Sequence, residues 1–369
     1  MNTYGSGSRF ASILPSLVSV LVGIFLGWYI LFLTDPSYSL AGIGLVLSGG
    51  FTDGVSGIGI LLCTAAPIIL TGLSVGFSIQ TGLFNIGASG QFTVGAFTAI
   101  LLGIKLGALS APLPCIFAVL GGMLAGALWG FITGALKAVF KVNEIISGIM
   151  LNYIGMLLVN LLIRSFIYDS TFNRSMSVPD SAQFHRDIFE KLLPGCRVNA
   201  CFFIALFLVI LIKLLLDRTT TGYELKMTGK NRFACHYAGI NDNKNIMLST
   251  AISGALAGVG GALMYLSDYG DHMIVVESIL QQGFTGISVA LLGMNDPIGI
   301  LIAGLFIAHI SVGGNYLQLF SYTPDLVNMI IAIIVYCGAL VLPIRVLFEM
   351  LSARIRRRKG SSETREAET

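Results

Sequence analysis

Ten apolar stretches recur along this chain of 369 residues, most of them near the ~20 residues a helix needs to cross a bilayer. They fall at about 11–34, 57–79, 91–106, 113–136, 143–167, 200–216, 246–266, 283–292, 298–315 and 326–347. Apolar residues make up 55% of the chain and charged residues 11%, against roughly 25% charged in a soluble domain. The mean hydropathy is +0.84. A surface so poor in charge faces lipid, so the chain reads as an all-α integral membrane protein of about ten transmembrane helices. The third and eighth stretches are short and read as partly re-entrant. The first lacks a small-residue cleavage site and a strongly basic leader, and reads as a retained span.

Lys and Arg set the orientation. Lys137 and Lys141, then Arg218, Lys226, Lys230, Arg232 and Lys244, then Arg354, Arg356, Arg357, Arg358 and Lys359 occupy three non-adjacent connections. With ten spans these fall on one side with both termini, and the positive-inside rule makes that side the cytoplasm. The opposite connections fit. Residues 168–199 are balanced in charge, and 267–282 carry Asp268, Asp271 and Glu277 without Lys or Arg. Lys105 is the one misplaced cation. The chain thus reads as one transmembrane domain over 1–369, with an extracytoplasmic loop 168–199, a cytoplasmic element 217–245 and a polar cytoplasmic tail 348–369.

Within the spans, GLFNIGASGQFTVG (82–95) sets Asn85 and Gln91 among glycines, too polar for a straight lipid-facing helix. It reads either as a broken element beside a transport path or as a glycine-mediated packing contact. VNEIISGIMLNY (142–153) places Glu144 at a helix start, where it reads either as an acid favoured at a helix N-terminus or as part of a pathway, and Asn152, two to three turns further in, is the better candidate for a polar group facing the interior. Gly122, Gly126, Gly130 and Gly134 recur every four residues as a close-packing seam. SGALAGVGGAL (253–263) repeats that spacing at Gly254 and Gly258, a hint of an inverted repeat.

The polar, basic island 217–245, DRTTTGYELKMTGKNRFACHYAGINDNKN, reads as structured rather than slack. Asn231 can cap a helix over about 231–238, Phe233 and Tyr237 fall one turn apart, and Gly239 supplies the stop. A short helix with an apolar face at a membrane surface needs a docking partner. Alternatively, the island is a solvated basic loop serving topology alone.

Catalytic patterns are missing. Gly229–Lys230 lacks the Ser/Thr and the spacing of a phosphate loop. Six cysteines and four histidines show no metal spacing; Cys196 and Cys201 lie near one outer boundary and could pair, the others reading as buried thiols. No membrane-embedded relay of Asp, Glu and His is visible. A transporter with neither ion-coupling acids nor a nucleotide site of its own takes its energy from another subunit, so no enzyme activity, metal or cofactor is expected of this chain.

GLFNIGASGQFTVGAF, VNEIISGIMLNYIG, TGYELKMTGKNRFACHYAGI, SGALAGVGGAL and GFTGISVALLGMNDPIGI occur in that order over about 67–343. In this the chain resembles membrane permease subunits of bacterial ABC importers in the branched-chain amino acid and ribose permease group, and nucleoside permeases in particular. The acidic residue usual before GQ in that family is replaced here by Ala88–Ser89, which leaves the substrate less defined. The resemblance implies a type II importer-like permease in the bacterial plasma membrane, with no role in nucleic-acid binding. It implies a second permease, identical or homologous, an ABC ATPase subunit carrying ATP and Mg, and an extracytoplasmic binding protein. It implies nucleosides as cargo; a pentose or other simple sugar is the alternative within the group, and an ion-coupled secondary transporter the alternative outside it. Glu224, Asn231, Arg232, Phe233, Tyr237 and Gly239 would then serve ATPase coupling. Asn85, Gln91, Asn152 and Ser288 suit a path for neutral polar cargo.

Overall fold

The computed structural model describes residues 9–184, 198–267, 270–320 and 322–339. Among them are thirteen helices: α1 Arg9–Thr34, α2 Ser39–Ser48, α3 Val55–Gln80, α4 Ala88–Lys105, α5 Leu113–Ala138, α6 Glu144–Phe166, α7 Ala200–Arg218, α8 Thr220–Lys230, α9 Arg232–Tyr237, α10 Asp242–Tyr265, α11 Gln282–Leu292, α12 Pro297–Tyr316 and α13 Pro324–Ala339. Six described segments are long and apolar enough to cross a membrane: Val55–Gln80, Leu113–Ala138, Glu144–Phe166, Ala200–Arg218, Asp242–Tyr265 and Pro297–Phe320. Four shorter apolar helices, Leu21–Thr34, Ser39–Phe51, Gln282–Leu292 and Asp325–Ile334, accompany them, a set compatible with about ten crossings. Each apolar stretch of the sequence meets a helix. Helix α2 is additional: it is apolar but ten residues long, about half the length of a span. Residues 340–347 of the last stretch, the tail 348–369 and Cys196 lie outside the described residues.

Two compact units are present, one of residues 1–46 with 314–369 and the other of residues 47–313. In the first, α1 packs on α13 through small residues. A Cβ at Gly23 would lie 3.0 Å from the Cβ of Cys337, and one at Gly27 would lie 3.0 Å from Ile330. The Tyr322 hydroxyl donates to the Asp35 carbonyl at 3.3 Å, and Tyr38 stacks on Phe320 with ring centroids 5.3 Å apart.

The second unit is organised around α3 and α10, the most enclosed of its long helices. Helices α5 and α10 meet backbone to backbone. A Cβ at Gly126 would overlap the Gly254 carbonyl oxygen and sit 2.8 Å from the Gly258 Cα. Gly130 likewise faces Thr250 and Gly254, and Gly122 faces Gly95 of α4 and Gly258. The two glycine-rich segments singled out in the sequence are therefore each other's packing surface. Lipid tails offer no hydrophobic drive for this, so close van der Waals contact is what holds such helices together.

The ends of this unit differ. At one end, β1 (Tyr168–Asp169) and β2 (Arg174–Ser175) pair antiparallel, and residues 271–275 lie along β2. The Ser175 N–H donates to the Met273 carbonyl at 2.8 Å and the Val178 N–H to that of Asp271 at 2.8 Å. The Ser181 hydroxyl donates to the Gly107 carbonyl at 2.8 Å, bringing the α4–α5 connection to the same end. At the other end, Lys137, Lys141, Glu144, Arg232 and Asp242 line a cavity of about 430 Å³. Glu144, the acid at the start of α6, pairs there with Lys137, and Asn143 caps α6 by accepting from the Ile145 N–H at 2.9 Å. The basic connections 137–144 and 232–242 thus share one end of the unit.

Candidate functional site

Helix α3 stops at Gln80 and α4 starts at Ala88, so the glycine-rich segment is a break between two helices. Gly82 makes the turn at φ +77°, where a side chain would be strained, and the Leu83 N–H donates to the Ser78 carbonyl at 2.9 Å. Beyond it, Asn85 and Gln91 face each other. The Asn85 amide donates to Gln91 Oε1 at 2.8 Å and to Ser253 Oγ at 2.6 Å, and the Gln91 amide donates to Asn85 Oδ1 at 3.2 Å. Ser253 in turn bonds Ser74 on α3, its hydroxyl donating to the Ser74 carbonyl at 2.8 Å. Asn152 clamps the same break from α6: Oδ1 accepts from the Gly90 N–H at 2.8 Å, and its amide donates to the Ile86 carbonyl at 3.0 Å.

Asn85, Gln91 and Asn152 are 5%, 0% and 1% exposed. Three of the four path candidates are therefore enclosed at one break: Asn85 and Gln91 pair with each other, and Asn152 satisfies two of the backbone groups that the break leaves without helical partners, as hydrocarbon requires. Ser288 stands apart from them, half-buried on α11. The sequence reading missed the partner of the Asn85–Gln91 pair, a polar stripe on α10. Asn245, Ser249 and Ser253 recur every four residues, so they share one helix face. All three are at most 4% exposed. Asn245 donates to Thr228 Oγ1 of α8 at 2.9 Å, and Ser249 shares a hydrogen bond with Thr81 at the end of α3. The four-residue spacing in NIMLSTAIS was the available signal.

The basic island 217–245 is two helices where one was expected. The Thr219 hydroxyl caps α8, accepting from the Gly222 N–H at 3.0 Å, and Leu225 and Thr228 turn inward. Helix α9 falls at the expected position. Asn231 Oδ1 accepts from the Ala234 N–H at 3.1 Å, and Gly239 at φ +78° ends the turn. Only Cys235 of α9 is buried, whereas Phe233 and Tyr237 are 82% and 92% exposed. Glu224 and Arg232 are half-buried, Arg232 in the wall of the basic cavity. Helix α8 abuts the α3–α4 break without any side chain between them. A Cβ at Gly229 would come within 2.5 Å of the Thr81 carbonyl carbon and 2.6 Å of the Gly82 nitrogen.

Around the end of the bundle, Lys213 of α7 bonds Asp296 at 2.5 Å and Asp217 at 3.1 Å, and Lys226 of α8 bonds Asp217 at 2.7 Å. Burial pushes the Asp296 carboxyl up. The Lys213 ammonium and the N–H groups of Gly299 and Ile298 more than offset this, holding it below the usual carboxylate value. Among the described residues no group of His, Cys, Asp and Glu could hold a metal ion.

Long apolar helices, a helix break stabilised by buried amides and a capped helix with bare aromatics at the basic end define a polytopic membrane protein of the transport type. The chain belongs to the family described as branched-chain amino acid transport system / permease component, whose model matches residues 57–338. It is 33% identical over 329 residues to the guanosine ABC transporter permease NupP of Bacillus subtilis, covering 89% of this chain and 93% of that one. It is 30% identical over 365 residues to the nucleoside ABC transporter permease NupB of Lactococcus lactis, covering 97% and 98%. A glucose ABC transporter permease of Haloferax volcanii, TsgB13, is 32% identical over 285 residues, 74% of each chain. No solved structure matches the chain significantly.

Proposed function

We propose that this chain is the conducting permease subunit of an ATP-driven nucleoside importer in a bacterial plasma membrane, with both termini in the cytoplasm. The observation that carries the reading is α9: Phe233 and Tyr237 stand almost bare on a capped helix at the basic end of a membrane protein. Two large aromatics held in water await an apolar cleft, and a separate ATPase subunit supplies one. Nucleoside cargo is supported by the two permeases matched over nearly their whole length. The haloarchaeal glucose permease supports a simple sugar as the second reading.

In this mechanism ATP and Mg act on the partner subunit, a second permease completes the path, and an extracytoplasmic binding protein delivers cargo. Closure of the ATPase pair displaces α9, and α8 moves with it. The Gly229–Gly82 contact hands the displacement to the α3–α4 break, because two backbones in contact have no side chain to yield. The Asn245–Ser249–Ser253 stripe ties α8, the end of α3 and the buried amides into one lever. Alternation between outward and inward states follows when that lever biases two packings of the bundle.

The test replaces Phe233 and Tyr237 with Asp in the assembled importer. The chain should still insert, ATPase copurification should be lost, and nucleoside uptake should stop. Unchanged copurification and uptake would remove α9 as the docking element. Uptake of labelled nucleosides against labelled pentoses by the wild-type complex separates the two cargo readings. Uptake by the chain alone in liposomes would favour an ion-coupled transporter instead.

A further inference from the structure

Helix α11 has only eleven residues, so at ~1.5 Å per residue it covers about 16 Å, near half the ~30 Å hydrocarbon thickness. Its far end is fixed at the basic end of the bundle, where the turn Gly293–Asp296 meets Lys213 and where the Gln80 amide donates to the Asn295 carbonyl at 2.6 Å. Its start therefore lies at mid-depth. There the Ser89 hydroxyl donates to the Leu280 carbonyl, and Gly283 rests on the Ser89 backbone. Residues 277–281, which lead down from the opposite end, are not helical.

One face of α11 is closed. Gly283, Gly286, Val289 and Ala290 are buried, with Gly286 against the Thr71 backbone of α3. The other face carries Gln281, Thr285 and Ser288, spaced four and three residues apart on one side of the helix. Gln281 is exposed, and Thr285 and Ser288 are half-buried. Gln282 in the same first turn has an enclosed Oε1 with no hydrogen-bond partner among the described residues. Open polar side chains and non-helical backbone at mid-depth are not tolerated against lipid; they occur where they line a water-filled passage or are covered by protein. The buried amides of Asn85, Gln91 and Asn152 differ, since they are already paired with one another, with Ser253 or with backbone groups.

We propose that the open face of α11, formed by Gln281, Thr285 and Ser288, lines the substrate passage and binds neutral cargo rich in hydroxyl and heterocyclic polar groups. The Gln281 amide and the Ser288 hydroxyl can both donate and accept, the Thr285 hydroxyl, which donates to the Gln281 carbonyl at 3.3 Å, can still accept, and none carries a charge, which suits a nucleoside-like molecule rather than an ion. Nothing on this face would hold a cargo tightly, as conduction requires. The passage role of Ser288 thereby acquires two neighbours, at the point where α4 and α11 both begin.

This inference rests on the reading of the chain as a conducting subunit, and the test separates the two. Ser288→Cys and Thr285→Cys are introduced singly, with Leu157→Cys, an exposed apolar position on α6, as the lipid-facing control. Reconstituted importer carrying each variant is treated with a charged, membrane-impermeant methanethiosulfonate, and wild-type protein sets the background from the native cysteines. Modification at 285 and 288 should exceed that at 157 by at least roughly tenfold, because the charged reagent is excluded from hydrocarbon. The modified variants should lose radiolabelled uridine uptake while ATP hydrolysis continues. Modification confined to a lipid-soluble maleimide, or no modification by either reagent, would overturn the proposal by making the face lipid-facing or covered by a second copy. Charged-reagent modification that leaves uptake intact would overturn it as well, placing the face in water but off the path. A wild-type complex with no ATP-driven uptake would refute the importer reading instead, and its charged-reagent pattern would still decide whether the face meets water.

Discussion

Asn85 illustrates what a membrane interior demands of a single residue. Its amide joins Gln91 on α4 to Ser253 on α10, across a break where backbone groups have lost their helical partners. Removing one member of a satisfied buried network leaves the others unpaired, whereas removing both members of a pair need not. Asn85→Ala is expected to destabilise the protein by about 1–2 kcal/mol in denaturant titrations in detergent. Asn85→Leu combined with Gln91→Leu should cost less than the sum of the two single changes; additivity would mean that the amides act independently. At this scale the sequence was only half legible. The polar residues were conspicuous among apolar ones, but Asn85 and Ser253 are 168 positions apart and no spacing connects them. The sequence left the amides between a path lining and a packing contact; the fold pairs them with one another, with Ser253 and with backbone groups.

At the scale of elements, patterns of one helical turn were legible and contacts between elements were not. Asn231 to Gly239 could be read because capping and termination are local events, set by a side chain reaching three residues ahead and by a glycine at positive φ. Helix α8 was hidden because its inward residues, Leu225 and Thr228, are too few to give an apolar period. The turn between α11 and α12 gives a pH prediction. Asp296 is held below its usual value, so its ionised form is favoured by folding. That contribution is complete above the unfolded value of about 3.9 and is lost as the pH falls through the lower folded value. The carboxylate is 42% exposed, so the pairing with Lys213 contributes roughly 1 kcal/mol or less. Unfolding midpoints of wild type and Asp296→Asn should differ modestly at pH 7, and the difference should shrink as the pH falls below the usual carboxylate value. A difference that does not shrink as the pH is lowered would show that Asp296 acts other than through its charge.

For the molecule as a whole, the decisive relation is between the bare helix at the basic end and the broken helices inside. Thr81→Val together with Ser249→Ala cuts the hydroxyl link between α3 and α10 while adding almost no volume. In the reconstituted importer these changes should leave ATPase copurification intact and raise the ATP hydrolysed per nucleoside moved by about tenfold. An unchanged ratio would mean that displacement reaches the core by another route. The apolar runs were legible, since hydrocarbon thickness fixes their length, and each meets a helix, a set compatible with about ten crossings. Which helices lie at the centre was not legible, because α3, α5 and α10 are all apolar and only packing distinguishes the enclosed from the lipid-facing.

The meeting of α5 and α10 through Gly126, Gly254 and Gly258 bears on how such a chain can diversify. A surface made of bare backbone holds no volume to trade, so every substitution there adds atoms and pushes the helices apart. On the proposed role of α11 as passage lining, residues along its open face can change one at a time, with cargo preference as the readout. The seam cannot be rewritten piecemeal. A saturation mutagenesis map would accordingly resemble a fixed axle with an adjustable rim: near-total intolerance along one stripe, and graded changes in cargo preference around it.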